Sequence, residues 1–341
     1  MVTIKDIARL SGYSIGTVSR VINNRSDVSP AAREIIERVI REQNFQPNDN
    51  AKLLKKTQHS PVTVIVKGIG NPFLESILEA IQISMRVHGE SVNVTFLDEQ
   101  ADEIAEAVRI ISRSRPKGLI FLGGSLRNFR AGFAGINVPA VLVTADASGL
   151  GYPQLSSFCT DDTAAAAEAV RRLIVAGHRR IGILGGYPDS FPEDNSMKRF
   201  TGAVGELQKH GIEFIQKRDY EGCGFTMAEG EAGMIRLLQK DPDLTAVFAL
   251  GDMIAIGAMK GLRTMGKRIP EDISMIGFDG IGFGSYTNPC LATIRQDTGR
   301  LASRTVETLL LQINTKRPAV HETIPYDFAA GDSISDLNRP Y

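Results

Sequence analysis

The chain has 341 residues, of which 43% are hydrophobic and 23% charged, and its 39 basic side chains balance its 39 acidic ones. This length allows two or three domains with a substantial core, and the composition is that of an ordinary globular protein. The sequence contains no run of about 18 apolar residues that would span a membrane. Its first ten residues lack the basic and then apolar layout of a signal peptide, so we expect a cytoplasmic protein without membrane partners.

The cysteines and the distribution of charge narrow the function further. Cys159, Cys223 and Cys290 are far apart and form no CxxC pair, which predicts reduced and mostly buried thiols, with neither disulfides nor a metal site. Residues 1–60 hold ten basic and six acidic side chains, a net charge of +4, and the remainder carries −4. This asymmetry predicts that only the N-terminal segment meets a polyanion.

Three short helices are predicted in residues 1–46, which we call the head. The first helix ends in a tight turn at Gly12, and its apolar face is formed by Ile4, Ile7, Ala8 and Leu10. Ser14 can cap the second helix, whose buried face is formed by Val18, Val21 and Ile22. Ser29 followed by Pro30 starts the third helix, with apolar positions at Ile35, Ile36, Val39 and Ile40.

Residues 47–60 are predicted to be a linker that carries one short helix over Asn50 to Lys55. Prolines, amides and lysines in this stretch argue against a packed core. From Val62 onward, short apolar runs alternate with helical stretches, which is typical of parallel sheets covered by helices. The runs are "VTVIVKGIG", "VNVTFLD", "GLIFLGG", "PAVLVTA", "RRIGILGG", "TAVFALG" and "ISMIGFDG".

These runs are too many for one sheet and divide into two groups near Thr160, so the sequence predicts two doubly wound subdomains. In open α/β sheets ligands bind outside the carboxyl ends of the strands. The cleft between two such sheets is therefore the expected small-molecule site.

A helix, a tight turn and a second helix rich in exposed polar groups form a helix-turn-helix, whose second helix enters the DNA major groove. Ile15, Gly16 and Arg20 are the outward positions closest to the start of that helix. Arg20 can bond guanine through two N–H groups, and Ile15 can pack on a thymine methyl. Thr17, Ser19 and Asn23 are expected to hold phosphates. A three-helix surface domain without a DNA role stays open as the alternative.

The segments "TIKDIARLSGYSIGTVSRVINN", "SPAAREIIERVIREQNFQPN" and "NAKLL" resemble the head and hinge of the lactose-repressor (LacI/GalR) family. Further matches follow in order, at "NPFLESILEAI", "AGHRRIGILGG", "AVFALGDMIAIGAM", "IPEDISMIGFDG" and "LATIRQ". The resemblance implies a DNA-binding transcriptional regulator, a repressor, with a periplasmic-binding-protein-like core that dimerises. It implies a core over residues 61–341, with one subdomain at about 61–160 plus 293–320 and the other at 161–292 plus 321–341.

The resemblance also implies a role for the linker. In relatives the matching segment folds into a hinge helix on operator DNA, and an apolar residue enters the minor groove and kinks the duplex. The residues that match are Ala51, Lys52, Leu54 and Lys55. Lys52 replaces a usual arginine and loses its planar fork. An ordinary core leucine is the alternative for Leu54.

For the effector, the resemblance places Phe73 on the first subdomain's side of the cleft and Arg199, Phe225 and Asp279 on the second's, with Asp161 a weaker candidate. An aromatic platform with an arginine and a carboxylate suits a polyhydroxylated ligand. The alternatives are that both phenylalanines belong to the core and that Arg199 is a solvated helix residue. Asp252 is interpreted as a helix cap.

Glu193 stands where purine-binding relatives carry an extra arginine, which favours a sugar or sugar derivative as the effector. An enzyme is disfavoured because no catalytic motif follows a strand and the histidines are scattered, so no cofactor, metal or catalytic residue is expected. A transport receptor would share the core but has no use for the head. The sequence therefore predicts a homodimer that binds double-stranded operator DNA and a small effector.

Overall fold

The computed structural model describes residues 2–22, 25, 28–43, 45, 61–187, 192–315 and 317–338. The chain separates into two compact units, Met1–Ser60 and Pro61–Tyr341. The predicted linker with its hinge helix, residues 47–60, lies outside the described residues. Among the residues that are described, no helix is long and apolar enough to cross a membrane.

The head contains the three predicted helices, which are α1 (Ile4–Ser11), α2 (Ile15–Ile22) and α3 (Pro30–Glu42). Gly12 ends α1 at a φ of 74°, in the left-handed region where glycine carries no steric penalty. The Ser14 hydroxyl accepts a hydrogen bond from the Thr17 N–H at 3.1 Å, and the Ser29 hydroxyl accepts one from Ala32 at 3.4 Å. The predicted turn and both predicted caps are confirmed.

One small apolar core holds the head together. Its fully or nearly fully buried members come from all three helices and are Ile7, Ala8, Val18, Val21 and Ile36. Leu10 and Ile35 were expected on buried faces, but 51% of Leu10 and 38% of Ile35 are exposed. Successive residues turn by about 100° around a helix, so Ile35 lies about 100° from Ile36 and Leu10 about 160° from Ala8. The compact three-helix arrangement leaves much of α2 at the surface.

The core contains two six-stranded sheets. The first has the strand order β11-β5-β4-β3-β1-β2, and every described pairing in it is parallel. Its strands are β1 (Val62–Lys67), β2 (Val92–Leu97), β3 (Gly118–Leu122), β4 (Ala140–Val143), β5 (Leu155–Cys159) and β11 (His321–Thr323). Its helices are α4 (Pro72–Val87), α5 (Glu103–Ser114), α6 (Leu126–Gly132) and α12 (Thr298–Thr315).

The second sheet has the order β12-β10-β9-β8-β6-β7, with β12 antiparallel at its edge. Its strands are β6 (Ile181–Leu184), β7 (Tyr220–Glu221), β8 (Ala246–Ala249), β9 (Ser274–Asp279), β10 (Ala292–Gln296) and β12 (Tyr326–Ala329). Its helices are α7 (Asp162–Val175), α8 (Asn195–Lys209), α9 (Gln216–Asp219), α10 (Met227–Lys240) and α11 (Asp252–Thr264). The predicted fold of two doubly wound subdomains is confirmed.

Both sheets are covered on two faces by helices, since buried side chains fall into one cluster on each face. On the first sheet, α4 and α12 pack on one face and α5 and α6 on the other. On the second sheet, α7 and α8 pack on one face and α10 and α11 on the other. This two-sided burial explains why the strands are continuous apolar runs rather than alternating ones.

The chain crosses between the sheets after β5, as expected near Thr160, and again after β10 and after β11, where the crossings differ from the expected boundaries. Residues 293–296 were placed in the first subdomain, but β10 pairs with β9 of the second sheet. Residues 321–323 were placed in the second subdomain, but β11 pairs with β5 of the first. Strand pairing therefore moves these two predicted subdomain boundaries by a few residues. The chain crosses to the other sheet only after a strand has formed its backbone hydrogen bonds with its neighbour.

Candidate functional site

The start of α2 presents the head's predicted base-reading residues at the surface. Ile15 is 46% exposed, and Gly16 and Arg20 are also exposed. Val18 and Val21 are buried; Gly16 and Arg20 lie on the opposite side of the helix, and Ile15 lies at the edge of the buried stripe. Ile15 is exposed at the first turn of the helix and takes no part in the head's own core. Its side chain is therefore available for direct contact with a thymine methyl.

Of the three residues predicted to contact phosphates, two lie beside this surface within the described part of the head. Thr17 and Ser19 are half-buried, and the Thr17 and Ser14 hydroxyls lie 2.9 Å apart in a hydrogen bond. A Cβ added to Gly16 would meet only the Ser14 hydroxyl, at 3.6 Å, so the surface beside it is open. Asn23 and the hinge residues Ala51, Lys52, Leu54 and Lys55 lie outside the described residues.

In the core, Arg199 and Asp279 are brought together in a buried cluster at the carboxyl ends of the second sheet. Arg199, on α8, is 5% exposed, and its Nε donates to Asp162 Oδ1 at 2.7 Å. Its Nη1 donates to the Leu250 carbonyl at 2.6 Å and lies 3.2 Å from Asp279 Oδ1. The guanidinium also stacks 3.7 Å from the centroid of the Phe278 ring. The interpretation of Arg199 as a solvated residue is wrong.

Asp279 is the last residue of β9 and is held in a strained backbone conformation with a φ of 113°. Such strain costs of order 1–3 kcal/mol and persists only where surrounding contacts impose it. Its Oδ1 accepts a hydrogen bond from Gln296 Nε2 at 2.9 Å in addition to the contact with Arg199. Burial raises the pKa of Asp279 to about 6, although Arg199 opposes that shift.

Asp252 binds the loop that follows Asp279 and does not act as the predicted helix cap. The cap position of α11 is Gly251, and Asp252 is the first helical residue. Its carboxylate accepts hydrogen bonds from the Gly280 and Ile281 N–H groups at 2.7 and 2.8 Å, and from the Thr293 hydroxyl at 2.6 Å. Burial raises the pKa of Asp252 to about 8. This carboxyl group fixes the loop that follows Asp279.

A cavity of about 390 Å³ opens beside Asp279 and reaches the other subdomain. Phe73, near the start of α4, lines it from the first subdomain together with Pro72 and Ser76. Asp279 and Gln296 line it from the second. Arg199 and Phe225 are not in this lining, so the structure brings Phe73 and Asp279 to one cavity and places Arg199 behind Asp279.

The remaining predicted residues lie close by but in other roles. A Cβ added to Gly251 would lie 3.0 Å from the Phe225 ring and 3.5 Å from Asp279 Oδ2, so the ring and this carboxylate oxygen flank Gly251. Asp161 is exposed and caps α7, where it accepts the Ala164 N–H at 3.0 Å. Its neighbour Asp162 makes the contact with Arg199 instead.

Sequence reasoning therefore missed Asp162 and Gln296. Gln296 ends a strand, and polar residues at strand ends were the signal that could have identified it. Asp162 follows a strand closely, but a pair of adjacent aspartates does not reveal which one turns inward.

Two direct contacts join the subdomains across the mouth of the cleft. Arg130 on α6 forms a two-pronged ion pair with Glu193, with N–O distances of 2.8 and 3.1 Å. Asn195, at the start of α8, donates to the Thr144 carbonyl at 2.7 Å. Thr144 follows β4 and has a φ of 82°, so the backbone is strained on this side of the cleft also. Glu193 is thus engaged with the protein rather than directed at a ligand.

One group of side chains resembles hydrolytic machinery but lacks its order. The Ser157 hydroxyl lies 2.7 Å from His321 Nδ1 and 3.5 Å from Asp146 Oδ1. In a catalytic triad the acid bonds the histidine, which in turn bonds the nucleophile. Here both partners contact the serine, which is itself buried and accepts the Ala147 N–H. Within the described part of the chain, no group of histidine, cysteine and acidic residues could hold a metal ion.

Comparison with known proteins accounts for both units. The model of bacterial regulatory proteins of the LacI family matches residues 3–48, and a periplasmic binding protein-like domain matches residues 170–334. The transcriptional regulator MalR of Clostridium butyricum is 32% identical over 341 residues, which is 98% of this chain and 99% of that protein. The regulator GalS of Salmonella typhimurium is 32% identical and covers 91% of this chain and 89% of its own length.

Solved structures extend the similarity to the fold. The lac repressor bound to ONPG in the repressed state superimposes with a TM-score of 0.76 at 26% identity, covering 97% of this chain and 99% of that one. The complex of the regulator CelR with cellobiose gives a TM-score of 0.70 at 25% identity, over 98% and 100% of the two chains. The chain belongs to the LacI family of bacterial regulatory proteins.

Proposed function

We propose that this protein is a homodimeric repressor that binds operator DNA in sequence-specific fashion, and that a carbohydrate in the cleft controls its operator affinity. The observation that carries this proposal is the fixed Asp279 carboxylate. Its Oδ1 is held by Arg199 and Gln296, which leaves Oδ2, among the described contacts, to accept ligand hydroxyls. Phe73 lines the same cavity from the other subdomain; it is 5% exposed and packs in the first sheet's core, and we propose that its exposed edge meets a sugar ring.

For the DNA side, we assign base reading to Ile15, Gly16 and Arg20 at the start of α2. A single head buries too little for tight specific binding, so two heads on a palindromic site are needed. The lac repressor dimer bound to operator and the anti-inducer ONPF, which superimposes with a TM-score of 0.73, supports this arrangement. The hinge residues named above are assigned to the minor groove by resemblance.

The ligand can act on DNA binding only if it prefers one arrangement of the subdomains. A sugar that contacts Phe73 on one side and Asp279 on the other would favour closure of the cleft. Closure would move the ends of the two linkers in the dimer and so set whether paired hinge helices form. Such coupling is typically about 1–3 kcal/mol, roughly 5- to 150-fold in operator affinity. We infer that the sugar lowers operator affinity.

We further infer a binding protein rather than an enzyme, acting in the cytoplasm where its DNA is. The carboxylates at the cleft are engaged by Arg199, by backbone N–H groups and by Thr293, which suits recognition of a ligand. Catalysis would need a nucleophile and a base in mutual contact beside the cavity.

The proposal is tested with operator DNA selected from a random library by the full-length protein. Binding of that DNA is then titrated with and without the sugars maltose, cellobiose, ribose and galactose. Asp279→Asn should bind operator normally and respond at least tenfold less to the active sugar, because Asn replaces the free carboxylate oxygen with a donor. Asparagine also tolerates the positive φ at this position.

Asp243→Asn is the matched control, since Asp243 is exposed and precedes β8 at the amino end of the second sheet. It should respond to the sugar like the parent. If Asp279→Asn also responds like the parent, the effector binds elsewhere. In a separate selection, Arg20→Ala should lose the preference at one base position, and an unchanged preference would refute the assignment of α2.

A further inference from the structure

The core joins the linker at the amino edge of the first sheet. Pro61 directly precedes β1, and β1 lies between β2 and β3 in the strand order. The Val62 N–H donates to the Ser91 carbonyl at 3.1 Å, and the Lys117 N–H donates to the Pro61 carbonyl at 3.2 Å. The segments that precede β2 and β3 therefore lie on either side of the point where the chain enters the core.

These two segments form a basic surface, which we call the entry face. It consists of the last turns of α4 and α5 and of the residues that follow them, 88–91 and 115–117. Arg86 lies in the last turn of α4, Arg113 in the last turn of α5, and Arg115 directly after α5. All three arginines are exposed, and among the described residues none of them has an acidic partner.

Acidic side chains are scarce on the entry face. Glu90 is the only one among its described residues, and its carboxylate already pairs with Lys117 Nζ across the start of β1. At the carboxyl edge of the same sheet, by contrast, Asp98 and Glu99 follow β2, and Asp146 lies in the loop after β4. The charges of the first subdomain are thus segregated, with unpaired positive groups where the linker enters.

Helix capping explains only part of this arrangement. A basic side chain in the last turn of a helix complements the helix dipole, which accounts for Arg86 and Arg113. Arg115 is a second arginine at the end of α5, and its φ of 46° lies in the left-handed region where glycine is the usual residue. A non-glycine residue pays a steric cost there, and two neighbouring arginines repel each other. A partner of opposite charge would offset both costs.

The linker cannot be this partner, because it is itself basic. Residues 47–60 contain three lysines and one aspartate, a net charge of +2 with histidine neutral. Double-stranded DNA, in contrast, carries one negative charge per about 1.7 Å of its axis. Only residues 56–60 separate Lys55, assigned above to the minor groove, from Pro61, and each residue spans at most about 3.6 Å. This tether is too short to hold the entry face far from a duplex that the hinge residues bind.

We propose that the entry face is a DNA-contacting surface of the core, at which Arg86, Arg113 and Arg115 bind the phosphate backbone. The inference rests on the operator binding proposed above and adds the core to the head and the hinge as a source of DNA affinity. Phosphate contacts position a protein on DNA but do not read its bases. The entry face should therefore strengthen binding to all sequences alike.

The test uses full-length proteins and the operator that the parent selects from a random library. Binding is titrated by fluorescence anisotropy at salt concentrations between about 50 and 200 mM KCl. The double variant Arg113→Gln with Arg115→Gln should bind about fivefold more weakly at the lowest salt. Its plot of log affinity against log salt should be shallower by about 1–2, because each lost phosphate contact removes about 0.9 from the slope. Arg113→Glu with Arg115→Glu reverses both charges and should weaken binding further.

Lys209→Gln with Lys217→Gln is the matched control. Lys209 ends α8 and Lys217 lies in α9 before β7, so this variant removes two exposed charges at the amino edge of the second sheet. It should keep the parent's affinity and slope. An unchanged slope in the arginine-to-glutamine variant, an equal loss in the control, or a changed base preference in a repeated selection overturns the proposal. If the parent selects no operator, DNA binding itself is refuted, and the role of the entry face with it.

Discussion

Two arginines of this protein stand in opposite surroundings. Arg20 lies exposed on α2 of the head, whereas Arg199 is 5% exposed and fixed between Asp162 and Asp279 in the core. An exposed arginine keeps its hydration until a large partner arrives, and its attraction to DNA is screened by salt. A buried arginine has already lost its hydration and is held by its own protein. In the proposed function, the head would recognise DNA with exposed groups, and the cleft would recognise its ligand with groups that folding has oriented.

This difference indicates that the residues that stabilise the head are not those proposed to bind DNA, whereas in the cleft the same residues serve both roles. Arg20 points away from the head's core residues on α2, and Ile15 is exposed at the edge of their stripe, so the proposed binding surface can change with little loss of packing. In the cleft, Asp279 is at once a proposed ligand contact, a partner of Arg199 and the end of β9. A substitution that removes both carboxylate oxygens there alters the fold and the site together.

The largest expected effect compares the two arginines directly. Arg199→Ala should destabilise the core by about 3–5 kcal/mol, because it leaves two buried carboxylates without their cation. Arg20→Ala should change the stability of the head by less than about 0.5 kcal/mol. Urea denaturation of the full-length protein, followed by hydrogen exchange of head and core peptides, measures both. Equal losses of stability would show that the two sites do not differ in this way.

A second comparison concerns glycines at helix contacts in the core. A Cβ at Gly257 on α11 would lie 1.9 Å from the Met227 carbonyl, so Gly257→Ala must push α10 and α11 apart. We expect a loss of about 1–3 kcal/mol, the usual cost of overpacking. Gly205→Ala on α8 is the control, since nothing lies within 4 Å of its added Cβ. That variant should be as stable as the parent or slightly more so, in the same denaturation experiment.

The sequence predicted those strands that are continuous apolar runs, because a strand buried on both faces needs apolar side chains on both. It did not identify β5, whose "LSSFC" contains two buried serines, or β11, whose His321 is exposed. Ser156 and Ser157 are tolerated inside because each accepts a backbone N–H, from Val320 and Ala147. Such compensation depends on residues far along the chain, and local patterns cannot reveal it.

The sequence likewise predicted some of the residues at the site and missed others. Phe73 and Asp279 line the cavity, as the resemblance implied, and Arg199 contacts Asp279. The sequence could not show that Arg199 is turned inward to Asp162, because the choice between Asp161 and Asp162 depends on how α7 meets α8. Nor could it show that Asp252 bonds a loop about 28 residues further along the chain.

A third prediction uses acid to separate the core from the head. His178 is 1% exposed; its Nε2 donates to the Ser335 carbonyl at 3.1 Å, and its Nδ1 lies 3.0 Å from the Thr245 hydroxyl. Burial lowers the pKa of His178 below its usual 6.5. The unfolded chain therefore binds a proton first as the pH falls, and the core should lose stability below about pH 6.5 by at most about 1.4 kcal/mol per pH unit.

Hydrogen exchange at pH 7 and pH 5.5, corrected for intrinsic exchange rates, compares the parent with His178→Gln. The variant should show a smaller loss of core stability on acidification. His88→Gln, which removes an exposed imidazole on the first subdomain, is the control and should keep the parent's slope. The described head contains no histidine, so its peptides should change little over this range. An identical slope in His178→Gln would assign the acid response to other groups.

The smallest expected effect tests most directly whether stability and DNA recognition depend on different residues in the head. Gly16 lies in the first turn of α2, where an added Cβ would make only a van der Waals contact of 3.6 Å with the Ser14 hydroxyl, so Gly16→Ala should stabilise the head by about 0.4–1 kcal/mol through a less flexible unfolded chain. Because this added methyl would project beside Ile15, it should also change which operator the protein selects from a random library. Hydrogen exchange of head peptides measures the first effect, and the selected sequences measure the second. A stabilised head with unchanged operator preference would place the DNA-contacting surface away from the start of α2. A destabilised head would show that packing and recognition share this position, as they do at Asp279.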